Sequence, residues 1–211
     1  MAELAIAMIA DDLTGALDAG APFALRGLKT HIACTPLALE RALEHDPEIV
    51  CVNTATRELP AEQAAAIVQD VARRLAGSRP RIAFKKIDSR LKGPIAAELP
   101  AMLEGFGFGE AIVAPAIPEL GRVVAGGRLT GHGIDMPIAI AERLGSTRYA
   151  IPDTPDQASL EAVALAIEAA AGTMLAVGAR GLASALAAAI GGSPANPDPL
   201  PLPRPLLMAI G

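Results

Sequence analysis

The sequence predicts an α/β fold in which a mostly parallel sheet is flanked by helices on both faces, a Rossmann-like three-layer sandwich. The first observation is that short apolar runs alternate with longer amphipathic runs, the pattern of βα units. The second is composition: 52% of the residues are hydrophobic but only 2% are aromatic. A core of Ala, Leu, Ile and Val favours helices packed closely on a sheet. The length of 211 residues indicates one large domain or slightly more.

Predicted strands and helices alternate along the chain, most regularly in its first half. Strands are predicted at 4–10, 30–34, 48–52, 81–85, 110–114, 148–151 and 173–177. Helices are predicted at 15–26, 36–44, 60–75, 93–105, 137–144, 157–171 and 182–190. Pro60 suits a first helical turn, where a missing N–H costs nothing. Glycine and proline crowd residues 115–133, which predicts a long irregular loop there.

The C-terminal end of the sequence has a different character. We expect one domain over residues 1–192, followed by a proline-rich, stiff linker at 193–205. The apolar run at 206–211 looks like the first strand of a further domain. We expect that strand either to pack poorly or to pair with a second copy in a homodimer.

Composition excludes several classes of partner. The net charge of −5 and the shortage of aromatic residues argue against a nucleic-acid polymer. The apolar run at 163–190 contains Glu168 and Arg180 and is too weakly apolar for a membrane span. We also find no targeting signal, which predicts a cytoplasmic protein. Cys34 and Cys51 have no metal-site spacing, so no metal site is predicted.

Polar residues follow the first predicted strand. Asp11 and Asp12 come directly after it, and Thr14 and Gly15 then open a helix, whose first N–H groups favour anions. In open α/β sheets, ligands bind beyond the carboxyl ends of the strands. The alternative interpretation is simple capping of the helix by Asp12 or Thr14.

The fourth predicted strand ends in a run of charge, Lys85-Lys86-Ile87-Asp88-Ser89-Arg90-Leu91-Lys92-Gly93. Cations mixed with a carboxylate and a hydroxyl at the mouth of a parallel sheet suit a small polyhydroxylated anion. A solvated surface loop is the alternative. Arg57 and Arg122 add a guanidinium group at neighbouring strand ends. Because neither the P-loop nor the dinucleotide fingerprint is present, the sequence predicts an anion site without a nucleotide cradle.

Three motifs taken together resemble the four-carbon acid sugar kinase family. They are Ile9-Ala10-Asp11-Asp12-Leu13-Thr14-Gly15-Ala16, the run from Lys85 to Gly93, and Pro115-Ala116-Ile117-Pro118-Glu119-Leu120-Gly121-Arg122. The resemblance implies phosphorylation of threonate, erythronate or 3-oxo-tetronate with ATP. It also implies that residues 1–192 are the sugar-acid-binding domain and that 206–211 begin a C-terminal nucleotide-binding domain. ATP and Mg²⁺ would be bound mainly by that C-terminal domain.

The resemblance also implies site residues. The expected substrate-binding residues are Asp11, Thr14, Gly15, Arg57, Ser89, Lys92, Gly93, Arg122 and Gly127. The expected catalytic residues are Asp12, Asp88 and Lys86. We expect Arg57 and Arg122 to bind the substrate carboxylate and Lys86 the transferring phosphate. The base is expected to be Asp11, Asp12 or Asp88, with Asp12 the first choice.

Three features depart from the family pattern. Arg90 and Lys92 stand where a small residue and an arginine are common, Arg128 stands where a histidine is common, and the stretch 133–152 is shorter than usual. The short stretch and the missing nucleotide-binding half favour an alternative function, a stand-alone sugar-acid-binding or regulatory domain without catalysis.

Overall fold

The computed structural model describes residues 3–194. Its centre is a six-stranded parallel sheet with the order β2-β3-β1-β4-β9-β5. The strands are β1 (Ile6–Ala10), β2 (Thr30–Ala33), β3 (Ile49–Asn53), β4 (Ile82–Lys86), β5 (Ala111–Ala114) and β9 (Leu175–Gly178). Strands β1 and β4 lie side by side at the centre. From β1 the chain continues to β2 and β3 on one side of the sheet, and from β4 it continues to β5 and β9 on the other.

Helices cover both faces of this sheet, which confirms the predicted three-layer α/β architecture. They are α1 (Leu13–Ala24), α2 (Leu39–Leu43), α3 (Ala61–Gly77), α4 (Ile95–Phe106), α5 (Ile140–Arg143), α6 (Gln157–Ala169) and α7 (Arg180–Ile190). One hydrophobic cluster joins the sheet to α3 and α4, and another joins its opposite face to α1, α6 and α7. Every residue of β1 and β3 is buried, as expected for strands covered on both sides.

The predicted loop at 115–133 is wrong in part. Its residues include a short 3-10 turn and two strands, β6 (Arg122–Ala125) and β7 (Arg128–Gly131), of a small antiparallel sheet whose third strand is β8 (Ile138–Ala139). Gly126 and Gly127 join β6 to β7 with φ of 56° and 68°. Two successive positive φ angles are what a tight hairpin turn requires. The glycines therefore mark a turn rather than an irregular segment.

Two further expectations need correction. The predicted strand at 148–151 forms only an isolated bridge, between Ala150 and Ile112 of β5. The helix predicted at 137–144 begins at Ile140, because Ile138 and Ala139 pair with β7. The apolar run at 206–211 and most of the linker lie outside the described residues. Within residues 3–194 no helix is long and apolar enough to cross a membrane, and the cytoplasmic location stays a prediction.

The sheet register brings four strand ends to one level. Ala10, the last residue of β1, pairs with Asn53 on one side and with Lys86 on the other. Lys86 in turn pairs with Gly178, the last residue of β9. The loops that follow β1, β3, β4 and β9 therefore meet at the carboxyl edge, where open α/β sheets bind ligands.

Candidate functional site

A guanidinium group held by two carboxylates lies at the centre of this edge. Arg57 donates from Nε and Nη2 to the two carboxylate oxygens of Asp11, at 2.8 Å each. Its Nη1 donates to Asp12 Oδ2, also at 2.8 Å. This is the two-pronged geometry in which Arg–carboxylate pairs are strongest. Both loops are thereby joined, the one after β1 and the one after β3.

Burial strengthens this cluster. Asp11 is 2% exposed and Arg57 21%. Burial by itself raises the pKa of Asp11, but the Arg57 hydrogen bond and the charges of Lys85, Arg57 and Lys86 outweigh it, so the pKa lies below its ordinary value. Burial likewise acts to lower the pKa of Arg57, and its hydrogen bond to Asp11 with the charges of the three aspartates raises it on balance. Both groups are therefore charged at neutral pH.

Asp12 begins helix α1 and faces a small cavity. Its Oδ1 accepts from the backbone N–H of Gly15 at 2.8 Å, which caps the helix. A cavity of about 150 Å³ opens beside it. The cavity is lined by Asp12, Thr14, Gly15, Asp18, Arg57, Lys86, Asp88, Ser89, Ile117, Ala179 and Arg180. Asp12 thus caps the helix, as one interpretation of the sequence predicts, and also lines the cavity; its role toward a ligand stays a prediction.

Lys86 is the buried cation of this cavity. It is 5% exposed, and no carboxylate of the described residues lies within 4.0 Å of its Nζ. A Cβ on Gly15 would lie 2.7 Å from that Nζ and 2.5 Å from Asp12 Oδ1, so glycine lets the ammonium approach the start of α1. Burial lowers the pKa of Lys86, although the charges of Asp11 and Asp12 act to raise it. The group can form new hydrogen bonds with a ligand.

The loop after β4 supplies a carboxylate and a hydroxyl. Asp88 Oδ1 accepts from the backbone N–H groups of Arg90 and Lys92, at 2.9 Å and 3.3 Å. Its Oδ2 lies 4.0 Å from Arg57 Nη1. Ser89 Oγ accepts from Arg122 Nη1 at 2.6 Å. The backbone of this loop is therefore organised by Asp88 Oδ1, and the same residue lines the cavity.

The structure brings most of the predicted residues together. Those lining the cavity are Asp12, Thr14, Gly15, Arg57, Lys86, Asp88 and Ser89. Asp11 lies behind Arg57, and Gly93 packs on Asp11, since a Cβ there would lie 3.2 Å from its Oδ2. Arg122 reaches the site only through Ser89.

Five of the twelve predicted residues do not line the cavity: Asp11, Gly93 and Arg122, already described, together with Lys92 and Gly127. Lys92 is exposed, and Gly127 lies in the turn between β6 and β7. What Lys92 contributes here is its backbone N–H, which is bonded to Asp88.

Sequence reasoning missed four residues of the lining, Asp18, Ile117, Ala179 and Arg180. Arg180 pairs with Glu119, and its Nε lies 3.7 Å from Asp18 Oδ1. It directly follows the turn after β9, so its position at a strand end was a usable signal. Asp18 stands four residues after Thr14 on α1, and helical spacing places the two on one face.

The cavity is small for a nucleotide, and the described residues hold no ready-made metal site. Pockets for drug-sized ligands measure ~300–1,000 Å³, well above the 150 Å³ found here. The described residues contain no cluster of three or more His, Cys, Asp or Glu side chains suited to a metal ion. The carboxylates of Asp11 and Asp12 are occupied by Arg57 and by the start of α1, whereas Asp88 Oδ2 has only a 4.0 Å contact with Arg57.

Comparison with known proteins gives consistent results. A family model described as a sugar-binding N-terminal domain matches residues 6–139. A D-erythronate kinase from Heliobacterium modesticaldum is 34% identical over 139 residues, 62% of this chain and 30% of that protein. A D-threonate kinase from Salmonella typhimurium is 32% identical over 130 residues, 61% of this chain and 30% of that protein. The chain thus spans about a third of the length of these relatives.

Solved structures share the fold. A Bordetella bronchiseptica protein containing a domain of unknown function, a domain-swapped dimer with bound citrate, is 28% identical with a TM-score of 0.79. The similarity covers 86% of this chain and 55% of that one. A Haemophilus influenzae protein is 19% identical with a TM-score of 0.66, covering 86% and 55%, and shares the fold. Since the family model matches well over half of the chain, the protein belongs to the family of sugar-binding N-terminal domains.

Proposed function

We propose that this chain is the substrate-binding part of an ATP-dependent kinase that phosphorylates a four-carbon sugar acid. One observation carries the proposal: the buried ammonium of Lys86 faces a small polar cavity and has no carboxylate partner there. The related kinases, named for D-erythronate, D-threonate and 3-oxo-tetronate, support this substrate class. Citrate bound to the Bordetella protein supports a carboxylate ligand.

The lining of the cavity suits an acid that carries several hydroxyl groups. Lys86 would bind the carboxylate, because an anion supplies the hydrogen bonds that this buried ammonium lacks. Asp12 and Asp88 would accept hydrogen bonds from hydroxyl groups, and Ser89 offers a further hydroxyl. The cavity volume of about 150 Å³ limits the ligand to a small molecule.

The role first expected of Arg57 changes in this proposal. Its Nε, Nη1 and Nη2 already donate to Asp11 and Asp12. Three of its five N–H groups are thereby used, one N–H remains on each of Nη1 and Nη2, and its charge is already compensated by two carboxylates. We therefore assign Arg57 to holding the two aspartates in place, and Lys86 to the ligand.

Asp88 is the better candidate for the general base. Both oxygens of Asp11 are bonded to Arg57, and both oxygens of Asp12 accept hydrogen bonds. Asp88 lines the cavity and its Oδ2 has only a 4.0 Å contact with Arg57, so this oxygen is the one left to accept the proton of a substrate hydroxyl. This choice replaces Asp12, which the sequence alone favoured.

The phosphoryl donor needs residues other than these. Because the cavity is small for a nucleotide, ATP and its Mg²⁺ would be bound mainly by a separate nucleotide-binding domain. The alternative, a sugar-acid-binding or regulatory domain without catalysis, would use the same cavity and differ only in lacking that domain. A homodimer remains a proposal, supported by the domain-swapped dimer of the Bordetella protein.

Calorimetric titration tests the proposed ligand class. D-threonate and D-erythronate should bind at least ~10-fold more tightly than the uncharged polyols threitol and erythritol, because a charge-assisted contact is worth ~1.5–3 kcal/mol. Equal affinities, or no binding of either acid, would contradict the proposal. In a coupled assay with ATP and the same acids, the chain alone should show no turnover above a control without enzyme.

A further inference from the structure

A second charged network lies beneath the site, in the layer of α3 and α4. Lys85 and Glu98 are both fully buried, and Lys85 Nζ lies 2.9 Å from Glu98 Oε2. Neither atom has a directional hydrogen bond within the described residues, so the contact is mainly one of charge. Glu98 stands in the first turn of α4, where the helix dipole favours a negative charge.

Hydrogen bonds connect this pair to the loop after β3. Thr56 donates its hydroxyl to Glu98 Oε1. The hydroxyls of Thr56 and Thr54 are 2.9 Å apart, and Thr54 donates to the carbonyl of Ala10 at the end of β1. Thr56 directly precedes Arg57. The network therefore holds the backbone from which the Arg57 guanidinium reaches Asp11.

The loop between these residues adopts an unfavourable conformation. Ala55 has a φ of 53°, in the left-handed region that non-glycine residues rarely occupy. Such a conformation persists only when its surroundings enforce it. Here the backbone N–H of Ala55 donates to Asn53 Oδ1 at 2.9 Å, and the two threonines hold the loop from the other side. Strain of this kind makes the loop dependent on its buried contacts.

Stability alone is a weak explanation for the buried pair. Ion pairs of this kind can often be replaced by apolar residues without loss of stability. Yet Lys85 and Glu98 are placed next to the loop that carries Arg57, and the charge of Lys85 also acts on Asp11. A function in holding the site geometry accounts for both facts.

We propose that Glu98, between Lys85 and Thr56, is a positioning residue that fixes the 54–57 loop and thereby the Arg57–Asp11 pair. The binding part of its test depends on the proposed function, whereas the part that observes Arg57 does not. Loss of the Glu98 charge or of the Thr56 hydroxyl would release the loop. Arg57 would then separate from Asp11, and the carboxylates that line the cavity would no longer be held in position.

The test compares Glu98→Gln and Thr56→Val with the conservative variant Thr56→Ser, which keeps the hydroxyl. The first measurement is NMR hydrogen exchange at Arg57 Nε–H, which donates to Asp11. Glu98→Gln and Thr56→Val should speed this exchange at least ~10-fold, as expected for loss of a charge-assisted bond, and Thr56→Ser should restore it. The second measurement is D-threonate affinity, which should fall in parallel with the faster exchange.

Leu75→Ala is the matched control, because Leu75 is a fully buried residue of α3 near the opposite edge of the sheet. It should lower stability without changing the exchange of Arg57 Nε–H. If Glu98→Gln does not fold, the Thr56→Val and Thr56→Ser pair gives the same comparison. Unchanged exchange in Thr56→Val, or equally fast exchange in Leu75→Ala, would overturn the proposal. If wild type binds no tetronate, the proposed function fails and the exchange measurement still tests the role of Glu98.

Discussion

Lys85 and Lys86, at the end of β4, are consecutive and nearly fully buried, yet they lie in different environments. Their neighbours Ala83 and Phe84 belong to the hydrophobic clusters on opposite faces of the sheet, and the two lysines continue that alternation. Lys85 points toward α4 and meets Glu98 at 2.9 Å. Lys86 points toward α1 and lines the cavity. The difference teaches that neighbouring cations of one charged run can have opposite surroundings, one paired with a carboxylate and the other facing a cavity.

Arg57 extends the same comparison. It lines the cavity beside Lys86, but three of its nitrogens donate to aspartates. A cation bound in this way organises the site, whereas a cation without a partner is available to a ligand. This distinction would fail if the pairing of Arg57 with its aspartates did not contribute to stability. It would also fail if the Lys86 ammonium did not contribute to ligand binding.

The largest expected effect is on stability, from Asp11→Asn. This change removes one charge of a nearly fully buried pair and leaves Arg57 partly unpartnered, so the free energy of unfolding should fall by about 2–4 kcal/mol. Urea unfolding at neutral pH measures it. Asp12→Asn is the comparison variant, because asparagine caps a helix as well as aspartate does. It also weakens a bond to Arg57, but Asp12 is 30% exposed against 2% for Asp11, so its cost should be clearly smaller than that of Asp11→Asn.

The pH dependence of stability gives a check on the same variants. A carboxyl whose pKa is lowered by folding adds stability that is present above its ordinary value, 3.8 for Asp11, and is lost as the pH falls through the lower folded value. Asp11→Asn should therefore reduce the steepness of the acid limb. Identical losses in the two asparagine variants, with equal acid limbs, would show that burial of Asp11 is unimportant.

A smaller effect is expected on the pH dependence of binding. The pKa of Lys86 is lowered from 10.5 by burial, so the ammonium loses its proton at a lower pH than an exposed lysine does. Above the lowered pKa of Lys86, D-threonate affinity should decline by about tenfold per pH unit, as for any ligand that requires one protonated group. Lys86→Arg should extend binding to higher pH, since guanidinium remains charged. Affinity that is constant up to pH 10.5 would contradict this role.

Local sequence signals were sufficient for most of the central fold. Four apolar runs in the first half of the chain correspond to β1 through β4, because each buried parallel strand leaves a short continuous apolar segment. The hairpin of β6 and β7 could not be recognised from its glycines. Glycine interrupts the apolar pattern of a strand in a tight turn and in an irregular loop alike. The segment ending in Ile151 fails as a strand because it meets only the outer edge of β5.

The site was predictable in membership more than in role. Parallel strands place their carboxyl ends together, so the residues after β1, β3 and β4 could be grouped from the sequence. The sequence could not show which cation lacks a carboxylate partner, because Arg57 contacts Asp11 across 46 positions of sequence. The network of Thr56 and Glu98 depends on contacts of the same long range. The different environments of Lys85 and Lys86 were within reach, since alternation along a strand separates neighbours onto opposite faces.

The most direct test of the central claim is calorimetric titration of D-threonate and threitol into wild type and Lys86→Met. The account predicts that the variant loses about 10- to 100-fold of its affinity for the acid, the value of a charge-assisted contact, and keeps its affinity for the polyol. Lys29→Met, at an exposed lysine outside the cavity, should bind both ligands as wild type does. Equal losses for acid and polyol, or unchanged binding of the acid, would contradict the claim that Lys86 is the cation available to the ligand.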